Sequence, residues 1–171
     1  PVSGAVVFAK TSKALARLNE MIRSGEIHKT YWAIVEARPS QEEGTLTHYI
    51  VRDGKSNRSR AYDKPKADGK RAVLNYRVLG CSTRYTLVEV ELLTGRTHQI
   101  RASFADLGCP LLGDGKYGIG EKNKRYGETR QALYSYRLTF DFSTDAGLLN
   151  YLRGRSFEVE SVPFRDKYFD A

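Results

Sequence analysis

Residues 94–101 read TGRTHQIR, which places two arginines, a histidine and a glutamine directly after an apolar run. The planar guanidinium of Arg96 can bind a carboxylate or a phosphate through two hydrogen bonds. His98 and Gln99 can fix that guanidinium or a neighbouring loop, and Arg101, about one helical turn after His98, can contact a phosphate. A lone histidine is more often structural than a general base. The stretch therefore predicts an anion-binding cluster centred on Arg96.

Tyr31 is the second residue whose type and position suggest chemistry. It lies in HKTYWAIVEA, residues 28–37, whose β-branched and aromatic side chains predict a central strand. Lys29 and Tyr31 are two residues apart and therefore share one face of that strand. Such a face can present an aromatic plane to a nucleobase with a cation beside it. A tyrosine on a central strand also commonly belongs to the core, so both interpretations stay open.

The sequence lacks the local motifs of several cofactor-dependent classes. No HExxH, phosphate-binding GxxxxGK[ST] or CxxC motif occurs in the chain. The two cysteines, Cys81 and Cys109, lie far apart and lack metal-ligand spacing. Two free thiols are typical of a protein of the reducing cytoplasm. We therefore expect neither a metal nor a cofactor in the reaction, and we expect a cytoplasmic location.

The charge balance favours a polyanionic partner. Lysine and arginine total 28 against 20 acidic residues, which gives a net charge of +8, and this favours nucleic acid over an anionic membrane. No apolar run approaches the ~20 residues that cross a bilayer. Residues 52–71 are rich in lysine and arginine without an apolar rhythm. They predict an RNA-facing loop or hairpin, and a solvated surface loop is the equally weighted alternative.

The elements that must position these residues can be predicted from periodicity. Strands dominate, so the class is α+β with a largely antiparallel, twisted sheet in one domain of 171 residues. A helix is predicted from Thr11 or Ser12 to Gly25, with Leu15, Leu18 and Ile22 on one face. A second, short helix is predicted over residues 98–108. Strands are predicted over residues 3–10 (with Val6, Val7 and Phe8 as a buried centre), 28–37, 44–51, 72–81, 84–93, 131–142 and 154–164.

Three segments, in their order along the chain, resemble one known family. SGAVVFAKTSKALARL, HKTYWAIVEA and GRTHQIRASFADLGCPLLGDGKYG are similar to the catalytic domain of RNA pseudouridine synthases of the RluA branch. The resemblance covers about residues 2–142, and the third segment is its most specific part. It implies a mostly antiparallel, twisted mixed sheet with a few flanking helices. It also implies isomerisation of uridine to pseudouridine in ribosomal or transfer RNA, without a cofactor or a metal.

The resemblance assigns roles to individual residues. Tyr31 matches the family's active-site tyrosine, which packs against the target base and assists proton removal at its C5 atom. Arg96 matches the basic residue that pairs with the family's catalytic aspartate. Leu133 matches an apolar wall of the uracil pocket, although the family often has His-Ala where this chain has Tyr134-Ser135. The further predicted substrate-binding residues are Lys29, His98, Gln99 and Arg101.

The family's nucleophilic aspartate is expected immediately before Pro1, because Val2, Ser3 and Gly4 occupy the tail of the family's opening pattern. We therefore expect residues 1–171 to form one catalytic domain that is incomplete at its N-terminal side, inactive alone, and monomeric. The first alternative is a non-catalytic RNA-binding domain derived from the same fold. The second alternative is a basic domain that binds protein or DNA.

Overall fold

Eight β-strands form one mixed sheet and three α-helices flank it in the computed structural model, which describes residues 2–118 and 129–169. The strands are β1 (Ser3–Gly4), β2 (Ile27–Val35), β3 (Glu43–Asp53), β4 (Arg58–Tyr62), β5 (Lys70–Cys81), β6 (Thr86–Leu92), β7 (Leu133–Phe140) and β8 (Ser156–Glu158). The helices are α1 (Ser12–Arg23), α2 (Gln99–Asp106) and α3 (Pro163–Phe169), with a 3₁₀ helix at Gly147–Leu152.

The sheet topology confirms the predicted α+β class. The strand order is β1-β7-β2-β6-β5-β3-β4, and β8 pairs with β7 outside that path. Among the described strand pairs, β1 and β7 are parallel, whereas the others are antiparallel. α2 covers one face of the central strands, where its Ile100 and Phe104 pack into the core with Leu74, Val88 and Val90. This packing holds α2 against the sheet next to β3 and β4.

A β-bulge in β7 lies opposite Tyr31. β2 lies between β6 and β7, as its β-branched composition predicted. The register with β7 shifts between Thr30, which faces Arg137, and Tyr31, which faces Ser135, so that Tyr136 is the extra residue. Bulges bend a strand and re-aim side chains, and they are common next to active sites.

The predicted first helix is confirmed, but its buried face differs from the expectation. The side chain of Thr11 caps α1 by accepting a hydrogen bond from the backbone N–H of Ala14 at 3.2 Å. Leu18 and Met21 are the buried residues of α1, whereas the predicted face residues Leu15 and Ile22 are exposed. Leu18 and Met21 are three residues apart and share a narrow stripe, which packs against the cluster around Phe140, Phe142 and Leu149.

The prediction of a buried strand over residues 3–10 is wrong. Only Ser3–Gly4 pairs with the sheet, and Val6 and Phe8 are 63% and 85% exposed. Gly4 has φ +123°, and an added Cβ would lie 2.2 Å from the carbonyl oxygen of Ser135. This close approach is possible only without a side chain, and the backbone then turns away from the sheet before it reaches α1.

The remaining predicted strands need smaller corrections. The basic segment 52–71 contains β4, which forms an antiparallel hairpin with β3. A hairpin was one of the two conformations predicted for this segment. Of the last predicted strand, over 154–164, only β8 forms, and Pro163 begins α3. Proline is favoured at a helix start and cannot donate to a sheet ladder.

Candidate active site

A cavity of about 270 Å³ opens beside Tyr31, between β2, the end of β6 and the start of α2. Of the seven residues that the sequence predicted for the site, six line this cavity, and Lys29 does not. The ten described residues of its wall include no Asp or Glu. They are Val2, Tyr31, Leu92, Arg96, His98, Gln99, Ile100, Arg101, Gln131 and Leu133. The cavity therefore combines an apolar wall with two arginines.

Tyr31 contributes an aromatic wall and a neutral hydroxyl group. Its side chain is partly buried, and burial raises the pKa of the phenol, while a hydrogen bond with Ser135 opposes this increase. The group therefore stays protonated near neutral pH. Leu133, at the start of β7, pairs with Ala33 of β2 and lies in the same core cluster against which Tyr31 packs. Both side chains line the cavity, so its wall offers aromatic and apolar surface to a planar base.

Arg96 lies at the mouth of the cavity with an exposed side chain. Its Nε donates a hydrogen bond to the carbonyl oxygen of Arg71 at 2.9 Å. This contact anchors one edge of the guanidinium on β5. Because the described wall of the cavity has no carboxylate, Arg96 supplies positive charge to it. The guanidinium is thus placed to bind an acidic side chain or a phosphate that enters the mouth.

Gln99 holds the loop that carries Arg96. Its side-chain Oε1 accepts hydrogen bonds from the hydroxyl of Thr94 at 2.9 Å and from the backbone N–H of Arg96 at 3.0 Å. Its Nε2 donates to the carbonyl oxygen of Val73 at 3.0 Å. Gln99 is buried, and these bonds engage both ends of its amide. This arrangement supports the loop-fixing role more than a direct contact with a substrate.

His98 joins α2 to the β3–β4 hairpin through Tyr117. Its φ of 55° is in the left-handed region, and this turns the chain from the loop that carries Arg96 into α2. Its Nδ1 lies 3.0 Å from the hydroxyl of Tyr117, which also accepts a hydrogen bond from the backbone N–H of Ser59 at 2.7 Å. Burial, with Arg101 and Lys116 nearby, lowers the pKa of His98. A neutral imidazole with a fixed neighbour fits a positioning role.

Arg101 forms a buried, bidentate ion pair with Asp114. Its Nε and Nη2 each donate to a carboxylate oxygen at 2.7 Å, and its guanidinium lies 4.9 Å from the centre of the Tyr117 ring. Asp114 is completely buried. Two of the three guanidinium nitrogens are therefore committed to the protein. The predicted phosphate contact has little support from this geometry, which favours a structural role at the base of the cavity.

Lys29 reaches a neighbouring groove instead of the cavity. Its Nζ lies 3.5 Å from the position that a Cβ on Gly95 would occupy, and both residues line a groove of about 80 Å³ beyond Leu92. Burial lowers the pKa of its ammonium group. Lys29 is on the same face of β2 as Tyr31 and pairs with Leu92 at the end of β6, so it lies beside the loop that carries Arg96.

Larger grooves on the opposite face of the sheet have the wrong charge for a polyanion. One, of about 600 Å³, is lined by Glu89, Glu91, Asp141 and Glu158 among others. Another, of about 510 Å³, shares Glu89 and Glu91 with it and adds Glu43. Repulsion between these carboxylates and phosphates would oppose binding of RNA to that face. The smaller, cationic cavity is the better candidate site.

The chain is similar in sequence to one family of known proteins. A sequence profile described as RNA pseudouridylate synthase matches residues 1–106. The chain is 41% identical over 138 residues to "Uncharacterized RNA pseudouridine synthase YhcT" of Bacillus subtilis. The aligned region covers 80% of this chain and 43% of that protein. It is 36% identical over 143 residues to "Ribosomal large subunit pseudouridine synthase D" of Zymomonas mobilis. Here the aligned region covers 81% of this chain and 44% of that protein. The chain thus spans less than half the length of these relatives.

Solved structures show the same fold at lower identity. The human RNA pseudouridylate synthase domain-containing protein 1 superposes with a TM-score of 0.65 at 20% identity, over 95% of this chain and 74% of that chain. The human domain-containing protein 4 superposes with a TM-score of 0.61 at 23% identity, over 75% of this chain and 59% of that chain. Separately, none of the described helices is long and apolar enough to span a membrane.

Proposed function

This chain belongs to the RNA pseudouridylate synthase family, and we propose that in its natural protein it isomerises uridine to pseudouridine within an RNA strand. In this reaction the N1–C1′ glycosidic bond breaks, the uracil turns, and a C5–C1′ bond forms. C5 loses its hydrogen as a proton and N1 gains one, so the reaction needs no oxidant, reductant or second substrate. The observation that carries the proposal is the cavity that gathers Tyr31, Arg96 and Leu133.

The nucleophile is proposed to be a carboxylate that precedes Pro1 in the natural protein. The resemblance assigns the family's aspartate to that position, and Pro1 itself lies outside the described residues. Val2 lines the cavity together with Arg96, which supports the entry of the chain at this point. A carboxylate in a partly apolar pocket needs a cation to remain ionised, and Arg96 would supply it. The ionised carboxylate would then attack the sugar or the base.

The target uridine must leave the base stack to reach such a cavity. Tyr31 and Leu133 would replace the lost stacking with an aromatic and an apolar contact. The hydroxyl of Tyr31 would then relay the C5 proton, taking it up while passing its own proton to the next acceptor in a hydrogen-bonded network. The raised pKa of Tyr31 favours the protonated form and therefore supports hydrogen bonding over permanent charge in this position.

Tyr31→Phe in the natural full-length protein is expected to reduce turnover by about 10²- to 10⁴-fold, the range of general acid–base contributions. The melting temperature should change little, because the ring and its packing remain. The measurement is release of tritium from RNA labelled at uridine C5, with a parallel thermal melt. Tyr136→Phe is the matched control, since Tyr136 belongs to the neighbouring strand and its hydroxyl bonds to Glu158. Normal turnover with a large loss of melting temperature in Tyr31→Phe would indicate a core residue instead.

The β3–β4 hairpin is proposed to bind the RNA backbone. Its groove of about 470 Å³ is lined by Arg58, Arg60 and Lys116, with Ser56, Ser59 and Tyr117 between them. The groove also contains Asp53, whose carboxylate is engaged by the backbone N–H of Lys55 and Ser56 in its own turn. Ser59 donates a hydrogen bond to the carbonyl oxygen of Thr97 at 2.9 Å, so the groove adjoins the mouth of the cavity.

Arg58→Ala and Arg60→Ala are each expected to weaken RNA binding and to reduce the slope of log affinity against log salt by about 1. The loss arises because each variant removes one cation that neutralises a phosphate. The measurement is a salt series of RNA-binding isotherms. Arg77→Ala is the control, because Arg77 pairs with Glu89 at 2.9 Å on the opposite face. An equal effect in the control, or an unchanged slope in both hairpin variants, would move the RNA surface elsewhere.

The finer properties follow as proposals. We propose that the RNA is ribosomal or transfer RNA, that the protein acts as a monomer in the cytoplasm, and that the reaction uses no cofactor. The alternative is a non-catalytic RNA-binding domain, with which the cavity is compatible because its described wall contains no Asp or Glu. That domain would bind structured RNA in gel shifts without releasing tritium from uridine C5. An equal affinity for duplex DNA would instead favour a general basic binding module.

A further inference from the structure

A buried histidine that the proposed reaction does not use lies near the C-terminal end of α2. His48 of β3 is 5% exposed, and its Nδ1 has no hydrogen-bond partner among the described residues. Its Nε2 faces two carboxylates, at 3.3 Å from Oδ2 of Asp106 and at 3.6 Å from Oδ1 of Asp63. These three ligand atoms all lie within 4.8 Å of one another. A nearly buried imidazole is therefore aimed at a pair of oxygens.

The separations of Nε2 from the two carboxylates are compatible with ligands of one ion. An N–H···O hydrogen bond spans about 2.7–3.2 Å, so both contacts of Nε2 are longer than that range. Ligands about 2.0–2.1 Å from a tetrahedral zinc ion are separated by roughly 3.3–3.4 Å along the edges of the tetrahedron. The distance from Nε2 to Asp106 matches that edge, and the distance to Asp63 is within a few tenths of an ångström of it.

We propose that His48, Asp63 and Asp106 form a binding site for a divalent transition-metal cation of the zinc type. Two carboxylates balance the charge of such an ion, and imidazole selects it over Mg²⁺ and Ca²⁺, which prefer oxygen ligands alone. Asp106 is the last residue of α2, where the helix dipole also favours positive charge. Asp63 is 83% exposed, so water can take the fourth position and the ion has a path of entry.

The proposed ion is a structural clip and takes no part in the uridine reaction. Its ligands come from β3, from the residue after β4, and from the end of α2. None of the three ligands lines the cavity. The opposite end of α2 carries Gln99 and Arg101, so the ion would hold the basic hairpin against the helix that shapes the cavity. The three ligands are scattered along the sequence, which is why no metal-binding spacing can be recognised there.

The test is a titration of the chelator-treated protein with Zn²⁺ and Co²⁺, followed by calorimetry and by thermal melting. We expect one ion per chain and a melting temperature that rises with Zn²⁺ concentration, because binding to the folded state alone is stabilising. Mg²⁺ and Ca²⁺ should give neither effect. Asp63→Asn and His48→Gln should each weaken Zn²⁺ binding by more than the roughly 10- to 100-fold that loss of an outer-shell partner causes.

His28→Gln is the matched control, because His28 also contacts two acids, Glu91 at 3.0 Å and Asp141 at 3.7 Å, but on the opposite face of the sheet. It should keep the affinity of the unmodified protein. Asp63→Asn decides the matter if His48→Gln fails to fold, since the side chain of Asp63 lies largely in solvent. The proposal is overturned by an absence of Zn²⁺ binding, by unchanged binding in Asp63→Asn, or by an equal loss in His28→Gln.

Discussion

Replacement of Arg96 by alanine in the natural full-length protein is expected to abolish measurable turnover while RNA binding persists. Removal of one donor that stabilises developing charge typically reduces turnover by about 10²- to 10³-fold. Here the same change would also leave the proposed carboxylate without its cation, so we expect a loss of at least about 10³-fold. The measurement is tritium release from RNA labelled at uridine C5, at saturating RNA.

The fold should tolerate Arg96→Ala, because the side chain is exposed and its described bond is a single contact with a carbonyl oxygen of β5. Arg96→Lys retains the charge without the planar fork and should recover only part of the activity. Arg77→Ala, on the acidic face, should behave like the unmodified protein. Full turnover in Arg96→Ala would remove the residue from the reaction, and a lost melting transition would assign it to the fold.

Asp114→Ala is expected to lower the free energy of unfolding by about 3–5 kcal/mol, because it leaves a buried guanidinium without its partner. Although burial acts to raise it, the pKa of Asp114 is lowered by hydrogen bonds from Arg101 and from the backbone N–H groups of Lys116 and Tyr117. A lowered pKa means that this stabilisation is present above about pH 4, the range of an unfolded aspartate. It is lost as the pH falls through the lower pKa of the folded protein.

A double-variant cycle separates the ion pair from the general cost of altering the loop. Arg101→Met with Asp114→Ala removes both charges, so it should be less destabilising than Asp114→Ala alone. Urea unfolding at pH 7 and at pH 3 measures each variant. The difference in stability between the two pH values should be smaller in Asp114→Ala than in the unmodified protein. A single variant as stable as the unmodified protein would show that the pair does not support the cavity.

Much of the cavity could be predicted from the sequence because its residues are local to two elements. The change from strand to helix at TGRTHQIR brings Arg96, Gln99 and Arg101 to one end of α2, and the β-branched composition of β2 places Tyr31 at the centre of the sheet. The resemblance then added Leu133, which lies in β7 and lines the same cavity. Short-range periodicity and an ordered set of motifs were sufficient for these positions.

Other features depend on contacts between distant parts of the chain. The bulge opposite Tyr31 arises from the register of β7, more than a hundred residues later. The ion pair between Arg101 and Asp114 depends on the fold of the loop that follows α2. The surroundings of Lys29 depend on the loop at Gly95. Val6 and Phe8 suggested a buried strand, but the close approach of Gly4 to Ser135 ends that pairing early. Local sequence patterns carry no information on such pairings.

The central claim is that this cavity converts uridine to pseudouridine, and the most direct test is a map of pseudouridine positions in cellular RNA. Cells that lack the gene would be compared with cells that regain either the natural protein or its Arg96→Ala variant. We expect at least one pseudouridine to disappear on deletion, to return with the natural protein, and to stay absent with Arg96→Ala. Identical maps in all of these cells, or restoration by Arg96→Ala, would contradict the claim.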